Sequence, residues 1–264
     1  DYGGGGYSIH GYVHGWHVCR ESLDTGTSDF AIPTSIATKR KSTSMLLNFG
    51  DAGAHDATGG NTFISYNESR VTTAEKKYGE GSLYFDGTGD YMVVPAHLAH
   101  TAEIEDSNFT VEFWVNGTID DSYNVIIAKG QTGDTPNSSW WMETVTGTMH
   151  FYVSTGTNYV FAADTATHAT NAASTSDGWV HYAGIFNADD GYVELYANGS
   201  RVRQNAFGAN NTNYTENTDM FIGGHEDLTG ASVEGYVDDI RITKGVRRYT
   251  GASYTIPSAK FSKQ

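Results

Sequence analysis

From Met45 onward, apolar and polar residues alternate in short runs separated by turn-forming residues. FTVEFWV (109–115) shows the pattern most plainly: Phe109, Val111, Phe113 and Val115 fall on one side of an extended strand, Glu112 and Trp114 on the other. Runs of the same kind occur at 45–49, 81–87, 90–95, 124–130, 140–145, 149–154, 159–163, 179–186, 192–202, 220–224 and 235–243. Their spacing, about 8–12 residues with Gly, Asn and Asp between them, predicts an all-β sandwich or barrel. Asn198-Gly199 sits between two alternating runs and predicts a two-residue hairpin, because both positions of a type I′ turn need positive φ. Gly87-Thr88-Gly89 predicts a second tight turn, capped by Asp86 and Asp90. No segment carries a sustained helical period, although TAEIEDSN (101–108) suits a single helical turn.

The first 43 residues do not follow this pattern. They open on Gly3-Gly4-Gly5-Gly6, continue through SIHGYVHGWHVC (8–19) and reach a basic cluster, Lys39-Arg40-Lys41. The chain therefore divides into an extended N-terminal arm, 1–43, and one sandwich, 44–264. Tyr7, Ile9 and Val13 share a strand parity, so the arm can add a strand to the sheet edge of a neighbouring subunit. These three residues, with Cys19, are the candidate assembly residues. His10, His14, His17 and Cys19 are metal-ligand types in a short span, but a strand puts His17 on the face opposite His10 and His14. The start at Asp1, without Met or a signal-peptide pattern, leads one to expect a processed product or a stretch of a longer polypeptide.

Composition narrows the function. Thirty-one acidic residues against 16 basic ones give a formal net charge of −15, which opposes binding to nucleic acid or to an anionic membrane. No apolar run approaches the ~20 residues that span a bilayer. The single cysteine excludes a disulfide within the chain. Seven Asn-x-Ser/Thr sequons, at Asn67, Asn108, Asn116, Asn137, Asn198, Asn210 and Asn213, matter only in a glycosylating secretory pathway.

Four stretches in order, KKYGEGSLYFDGTGDYMVVP (76–95), FTVEFWVNG (109–117), DGWVHYAGIFNADDGYVELYANGSRV (177–202) and IGGHEDLTGASVEGYVDDIRITKGVRRYTG (222–251), resemble the laminin-G-like, concanavalin-A-like lectin/glucanase domains. The likeness is to the variant found in phage tail-fibre, other virion and secreted bacterial proteins. It implies an all-β, two-sheet antiparallel jelly-roll sandwich, placed outside a cell or on a virion surface. Related glucanases carry an acid, apolar, acid, apolar, acid string on one strand, so that carboxylates share a cleft. Neither Glu103-Ile-Glu105-Asp106 nor Glu194 provides it, so the chain is expected not to be an enzyme; a glycoside hydrolase ranks last.

The resemblance also implies a calcium ion at the sandwich rim or beside the closing strand, where Asp51, Asp56, Asp238 and Asp239 are the matching carboxylates. Asp238 shares parity with Ile240 and Ile242 and is expected on the apolar side, where a carboxylate needs a cation or hydrogen bonds. The competing reading has Asp238 accepting backbone N–H groups and Asp239 pairing with Arg241 or Arg247. Aromatic residues make up 13% of the chain, and Trp140, Trp141 and Tyr123, with Tyr159 and Tyr214 nearby in type and setting, form the candidate glycan platform. One member of the Trp140-Trp141 pair must point away from the core. The expected role is a structural or adhesion subunit of a virion appendage or extracellular filament. Such a subunit would self-associate or meet other structural subunits, and would take cell-surface glycans. The alternative is a monomeric, calcium-dependent, lectin-like module of a secreted protein.

Overall fold

The computed structural model describes residues 42–49, 56–58, 62–96, 107–118, 123–130, 132, 138–164, 178–208, 218–226 and 232–262. Tyr7, Ile9, Val13, Cys19, Asp51, Tyr214 and nearly all of the 101–108 segment lie outside them. The described strands are Ser42–Leu47 (β1), Ile64–Tyr66 (β2), Arg70–Thr72 (β3), Ser82–Asp86 (β4), Tyr91–Val94 (β5), Phe109–Thr118 (β6), Asn124–Gly130 (β7), Ser138–Val145 (β8), Thr148–Ser154 (β9), Tyr159–Ala163 (β10), Val180–Asn187 (β11), Tyr192–Ala197 (β12), Ser200–Ala206 (β13), Met220–Ile222 (β14) and Glu234–Lys244 (β15). No helix occurs among the described residues.

The strands form two antiparallel sheets. One runs β13-β12-β11-β6-β15-β4-β3, with β1 also on β15; the other runs β10-β9-β8-β7-β14-β5-β2. The inward sets of the two sheets meet in one apolar core that includes Phe109, Val111, Phe113, Val115, Trp140, Phe151, Tyr182 and Ile242. Each such large side chain contributes about 1.5–3 kcal/mol on burial. Gly184 of β11 faces Phe151 of β9, where a Cβ atom would lie 2.7 Å from the ring, so the sheets close to van der Waals contact at this point.

The turns follow the sequence. Asn198 and Gly199 both have positive φ, 44° and 81°, and join β12 to β13. Asp86 Oδ1 accepts the Thr88 N–H and Asp90 Oδ2 accepts the Asp86 N–H, each at 2.8 Å, which closes the Gly87–Gly89 turn. The strands β2 and β3 do not stand out in the sequence. They are three residues each and largely exposed, and the chain passes between them from one sheet to the other.

β15 organises the larger sheet. Its first half, Glu234 to Val237, pairs with β4, and its second half, Ile240 to Lys244, pairs with β1. A bulge between Asp238 and Arg241 separates the halves, with Asp239 at φ 51°. The extra residue resets the alternation. Val237, Ile240 and Ile242 all face the core, whereas Asp238 lies opposite Trp114 on the outer face. Strict parity places Asp238 on the core side; the bulge overturns that.

The outer face of this sheet is covered by the segment after β15. Tyr249 and Tyr254 pack on Ala183, Ile185 and Tyr196, and Phe261 packs with Leu46, Trp114 and Trp179. The segment is hydrogen bonded to the β12–β13 turn through Arg201 N to Ala252 O (2.8 Å) and Tyr254 N to Gly199 O (2.7 Å). Beneath it lies a buried ionic network. Glu112 of β6 receives Arg241 Nε and Nη2 on Oε1 at 2.8 and 2.7 Å, and the Tyr249 hydroxyl on Oε2 at 2.5 Å. Burial alone would raise the Glu112 pKa, but His181, Arg241 and Tyr249 outweigh it and hold the carboxylate below its ordinary value. Glu194 of β12 similarly receives Arg247 Nη2 at 2.8 and 3.1 Å and the Tyr196 hydroxyl at 2.9 Å.

Candidate functional site

The outer face of the seven-stranded sheet is built differently. Core-facing Trp140, Met142, Phe151 and Val153 leave the alternate positions of β8 and β9 to point outward. The register aligns Ala128 of β7 with Trp141 of β8, Trp141 with Tyr152 of β9, and Tyr152 with Phe161 of β10. A row of rings therefore crosses the end of the sheet. Trp141 and Tyr152 stack at 4.6 Å and 7°, and Tyr152 and Phe161 at 5.1 Å and 29°. His150, beside Tyr152 in β9, lies parallel to Phe161 at 3°. Tyr159 stands across the row, at 74° to Trp141 and 79° to Tyr152.

Burial sorts these rings by role. Trp141 and Tyr152 are only 1% and 8% exposed, whereas Tyr123, Tyr159 and Phe161 are 58%, 39% and 37% exposed. The faces of Trp141 and Tyr152 are turned to each other, so they act as a support. The ring surface left to a ligand at the β10 edge belongs to Tyr159 and Phe161; Tyr123 is exposed just before β7. Glu143 anchors the support by accepting the Trp141 Nε1–H at 3.0 Å. Its carboxyl is pushed above the usual range by burial, against the lowering effect of that hydrogen bond. Burial pushes the His150 imidazole down, against the raising effect of Asp164. The Tyr152 phenol is pushed up, first by burial, then by Glu143, Tyr159 and Tyr123.

Of the sequence-selected platform residues, the structure places Trp141 in the row with Tyr159 across it, leaves Tyr123 exposed just before β7, and puts Trp140 outside the cluster. Trp140 is fully buried between the sheets, 5.1 Å from the ring of Phe109. It cannot touch a ligand at the surface. Trp141 does point away from the core, but as the floor of the cluster. Tyr152, Phe161, His150 and Glu143 were not singled out from the sequence. Their signal is present in MHFYVS and YVFAA, where His150, Tyr152, Tyr159 and Phe161 occupy the non-core parity of adjacent strands.

The candidate calcium ligands do different work. Asp56 Oδ1 accepts the Leu46 and Thr58 N–H groups at 3.0 and 2.9 Å, and Oδ2 accepts the Thr58 hydroxyl at 2.6 Å. Asp238 Oδ2 accepts the Lys77 and Tyr78 N–H groups at 2.8 and 3.0 Å, and Oδ1 that of Asp239 at 2.7 Å. Asp239 accepts from the Asn48 side-chain amide and, at 2.7 Å, from the Phe261 N–H. It does not pair with Arg241 or Arg247, which are committed to Glu112 and Glu194. Every one of these carboxylate oxygens is aimed at a donor, whereas calcium takes six to eight oxygens with free lone pairs. Among the described residues no group of three or more His, Cys, Asp or Glu side chains is placed to hold a metal. As arranged, Asp56, Asp238 and Asp239 do not fit calcium; they fasten loops and the C-terminal segment to the larger sheet.

No helix of the described residues is long and apolar enough to cross a membrane. No curated protein sequence matches the chain. Solved structures do match it. They include the binding domain of botulinum neurotoxin serotype D (TM-score 0.58, 15% identity) and the binding domain of Paraclostridial Mosquitocidal Protein 1 (TM-score 0.61, 12% identity), each over 76% of this chain and 48% of that one. The ligand-binding domain of serotype D in complex with N-acetylneuraminic acid matches with TM-score 0.60 and 14% identity, over 76% of this chain and 47% of that one. The chain thus spans about half the length of these binding domains, and at such identities what is shared is the fold. A sequence model of the concanavalin A-like lectin/glucanases superfamily, of the laminin-G type, matches residues 86–249. That stretch is more than half of the chain and runs from the Gly87–Gly89 turn to Tyr249: the chain belongs to the concanavalin A-like lectin/glucanases superfamily.

Proposed function

We propose that the chain is a non-catalytic, extracellular recognition domain that binds glycans on the aromatic cluster at the β8–β10 end of the seven-stranded sheet. The observation that carries this reading is the exposure of Tyr159 and Phe161 against a buried floor of Trp141 and Tyr152. Exposed rings held rigid by buried ones offer an apolar surface to the C–H faces of a sugar at little entropic cost. The matched structures support the reading in kind, since they are binding domains and one holds N-acetylneuraminic acid. Among the described residues, those after β15 cover much of the outer face of the larger sheet.

The test is glycan binding by the intact chain and by the variant Tyr159→Ala/Phe161→Ala. The variant is expected to keep its melting temperature within a few degrees and to lose about tenfold or more in affinity, as when central aromatic contacts are truncated. Unchanged affinity would remove the cluster from the binding site. Binding is expected to survive EDTA, since the described aspartates are occupied by donors.

The virion-appendage or filament setting rests on the four sequence stretches and on the arm, 1–43. Light scattering separates it from a monomeric lectin-like module. The appendage reading expects ordered oligomers that are lost when 1–43 is deleted, with the sandwich still folded; the module reading expects a monomer with or without the arm.

A further inference from the structure

A second row of side chains crosses the outer face of the larger sheet, at its β3 end. The register sets Arg70 of β3 opposite Tyr84 of β4, Tyr84 opposite Tyr236 of β15, and Tyr236 opposite Asn116 of β6. Their chain neighbours Val71, Leu83, Phe85, Val237 and Val115 belong to the core or pack against it, so all four of the row point outward. Three strand spacings make the row about 14 Å long. Tyr236 packs against the Trp114 and Phe261 cluster, whereas Arg70, on the edge strand, is exposed.

The Arg70 guanidinium is held in place without being neutralised. Its carbon Cζ sits 4.3 Å from the centroid of the Tyr84 ring, and Nη1 donates to the Glu68 carbonyl at 2.9 Å. Tyr84 leans in turn on Tyr236, with ring centroids 5.3 Å apart and planes at 50°. Asp86 and Glu234 stand opposite each other in the next row, but no carboxylate of the described residues pairs with Arg70. Asp86 Oδ1 instead accepts the Thr88 N–H. Nε and Nη2 of Arg70, and the hydroxyls of Tyr84 and Tyr236, have no hydrogen-bond partner among the described residues. The Nε–Nη2 edge of a guanidinium is one that receives a carboxylate through two parallel N–H bonds. Here stacking and the Glu68 contact have already restricted the side chain, which lowers the entropy lost when that edge is used.

We infer that this row is a second ligand site and that it takes a carboxylate-bearing sugar, the carboxylate on Arg70 and the sugar hydroxyls on Tyr84, Tyr236 and Asn116. A single guanidinium in a chain of net charge −15 suits one carboxylate and opposes a polyanion. The site lies on the opposite sheet from the aromatic cluster, so it rests on the reading of the chain as a glycan binder but not on the cluster itself.

The experiment measures binding of oligosaccharides that end in a uronic or sialic acid, beside the same oligosaccharides with that carboxylate methyl-esterified. The proteins are the intact chain, Arg70→Gln, Arg70→Lys and Tyr159→Ala/Phe161→Ala, with melting temperatures to confirm that each is folded. The intact chain is expected to bind the free acids about tenfold or more tightly than the esters, with affinity that falls as salt rises. Arg70→Gln is expected to abolish this preference, and Arg70→Lys, which keeps the charge but not the two-pronged edge, to recover only part of it. The Tyr159→Ala/Phe161→Ala variant is expected to keep it. Equal binding of acids and esters by the intact chain, or a preference for the acids that persists in Arg70→Gln, would overturn the inference and leave the cluster reading to its own test. A preference that follows Arg70, with Tyr159→Ala/Phe161→Ala binding every glycan as the wild type does, would leave this row standing and remove the cluster. Absence of any glycan binding would overturn both.

Discussion

At the residue scale, the sandwich shows which polar groups are satisfied and which are not. Most buried carboxylates accept two or three hydrogen bonds, as Glu112, Asp56 and Asp238 do. Ser139 is the contrast. It lies at the start of β8, where the pairing with β7 slips between Lys129 and Gly130, it is fully buried, and its hydroxyl has no hydrogen-bond partner among the described residues. A buried hydroxyl without a partner costs about 1–3 kcal/mol, and alanine fills nearly the same space. Ser139→Ala is therefore expected to stabilise the chain by about 1 kcal/mol, read as a rise in the urea midpoint at unchanged m-value. A lower midpoint would show that the hydroxyl is bonded in solution, to water or to a ligand.

At the scale of elements, the strand β15 and the segment that follows it explain why the recognisable sequence stretches go together. Glu112 comes from FTVEFWV and meets Arg241 and Tyr249 from the closing stretch. Arg248 Nε bonds the Thr243 hydroxyl at 2.6 Å and Arg248 Nη2 the Thr43 hydroxyl at 2.8 Å, which ties β15 to β1. These residues are a structural clasp, and their presence says nothing about a ligand. Removing one hydroxyl should loosen it. Tyr249→Phe deletes a 2.5 Å hydrogen bond to a fully buried carboxylate and should cost about 1.5–3 kcal/mol. A denaturation midpoint equal to that of the wild type would mean that this hydrogen bond adds nothing net to the other contacts that hold the segment. The same comparison shows what the sequence conveys. Alternation reports which residues share a face, so β4 to β15 and the two glycine turns were legible. It does not report a bulge, so Asp238 was assigned to the wrong face. It also does not report whether an outward face is covered. Glu112 and Trp114 are outward and buried, whereas Tyr159 and Phe161 are outward and open. The candidate site was therefore half legible: Trp141, Tyr123 and Tyr159 stand out in the sequence, but the stacking of Trp141 on Tyr152 and of Tyr152 on Phe161 depends on cross-strand register, which spacing along the chain does not encode.

At the scale of the whole molecule, the buried titratable groups act on stability in opposite directions, and their signs predict its pH dependence. Asp239 has its pKa raised to about 7, first by burial, against the lowering by Asn48 and the Phe261 N–H; Asp238 is raised to about 6, again first by burial. An unfolded aspartate titrates near 3.9. For a group whose folded pKa is raised, the stabilisation is fully present below the unfolded value and is lost as pH rises through the folded one. Both aspartates therefore favour the folded state at pH ~4–5 relative to pH ~7. Relief of self-repulsion in a chain with net charge −15 acts in the same sense. His181 and Glu112 act the other way. Burial lowers the His181 pKa below 6.5, and Glu112 is held low by His181, Arg241 and Tyr249 despite its burial, so both withdraw stability as pH falls. The gain from the two aspartates on acidification is therefore opposed by His181 below pH ~6.5 and by Glu112 below pH ~4.5. Asp239→Asn isolates the largest contribution. Asparagine tolerates the left-handed φ of 51° at this bulge, its Oδ1 can still accept the Phe261 N–H, and the Asn48 amide can rotate to accept from the new Nδ2. The variant is expected to match or exceed wild-type stability at pH ~7 and to show a shallower gain on acidification to pH ~5. Urea melts across that range measure both quantities. A variant with the full wild-type slope would assign the pH dependence to net charge instead of to the carboxylate that joins the bulge of β15 to the C-terminal segment.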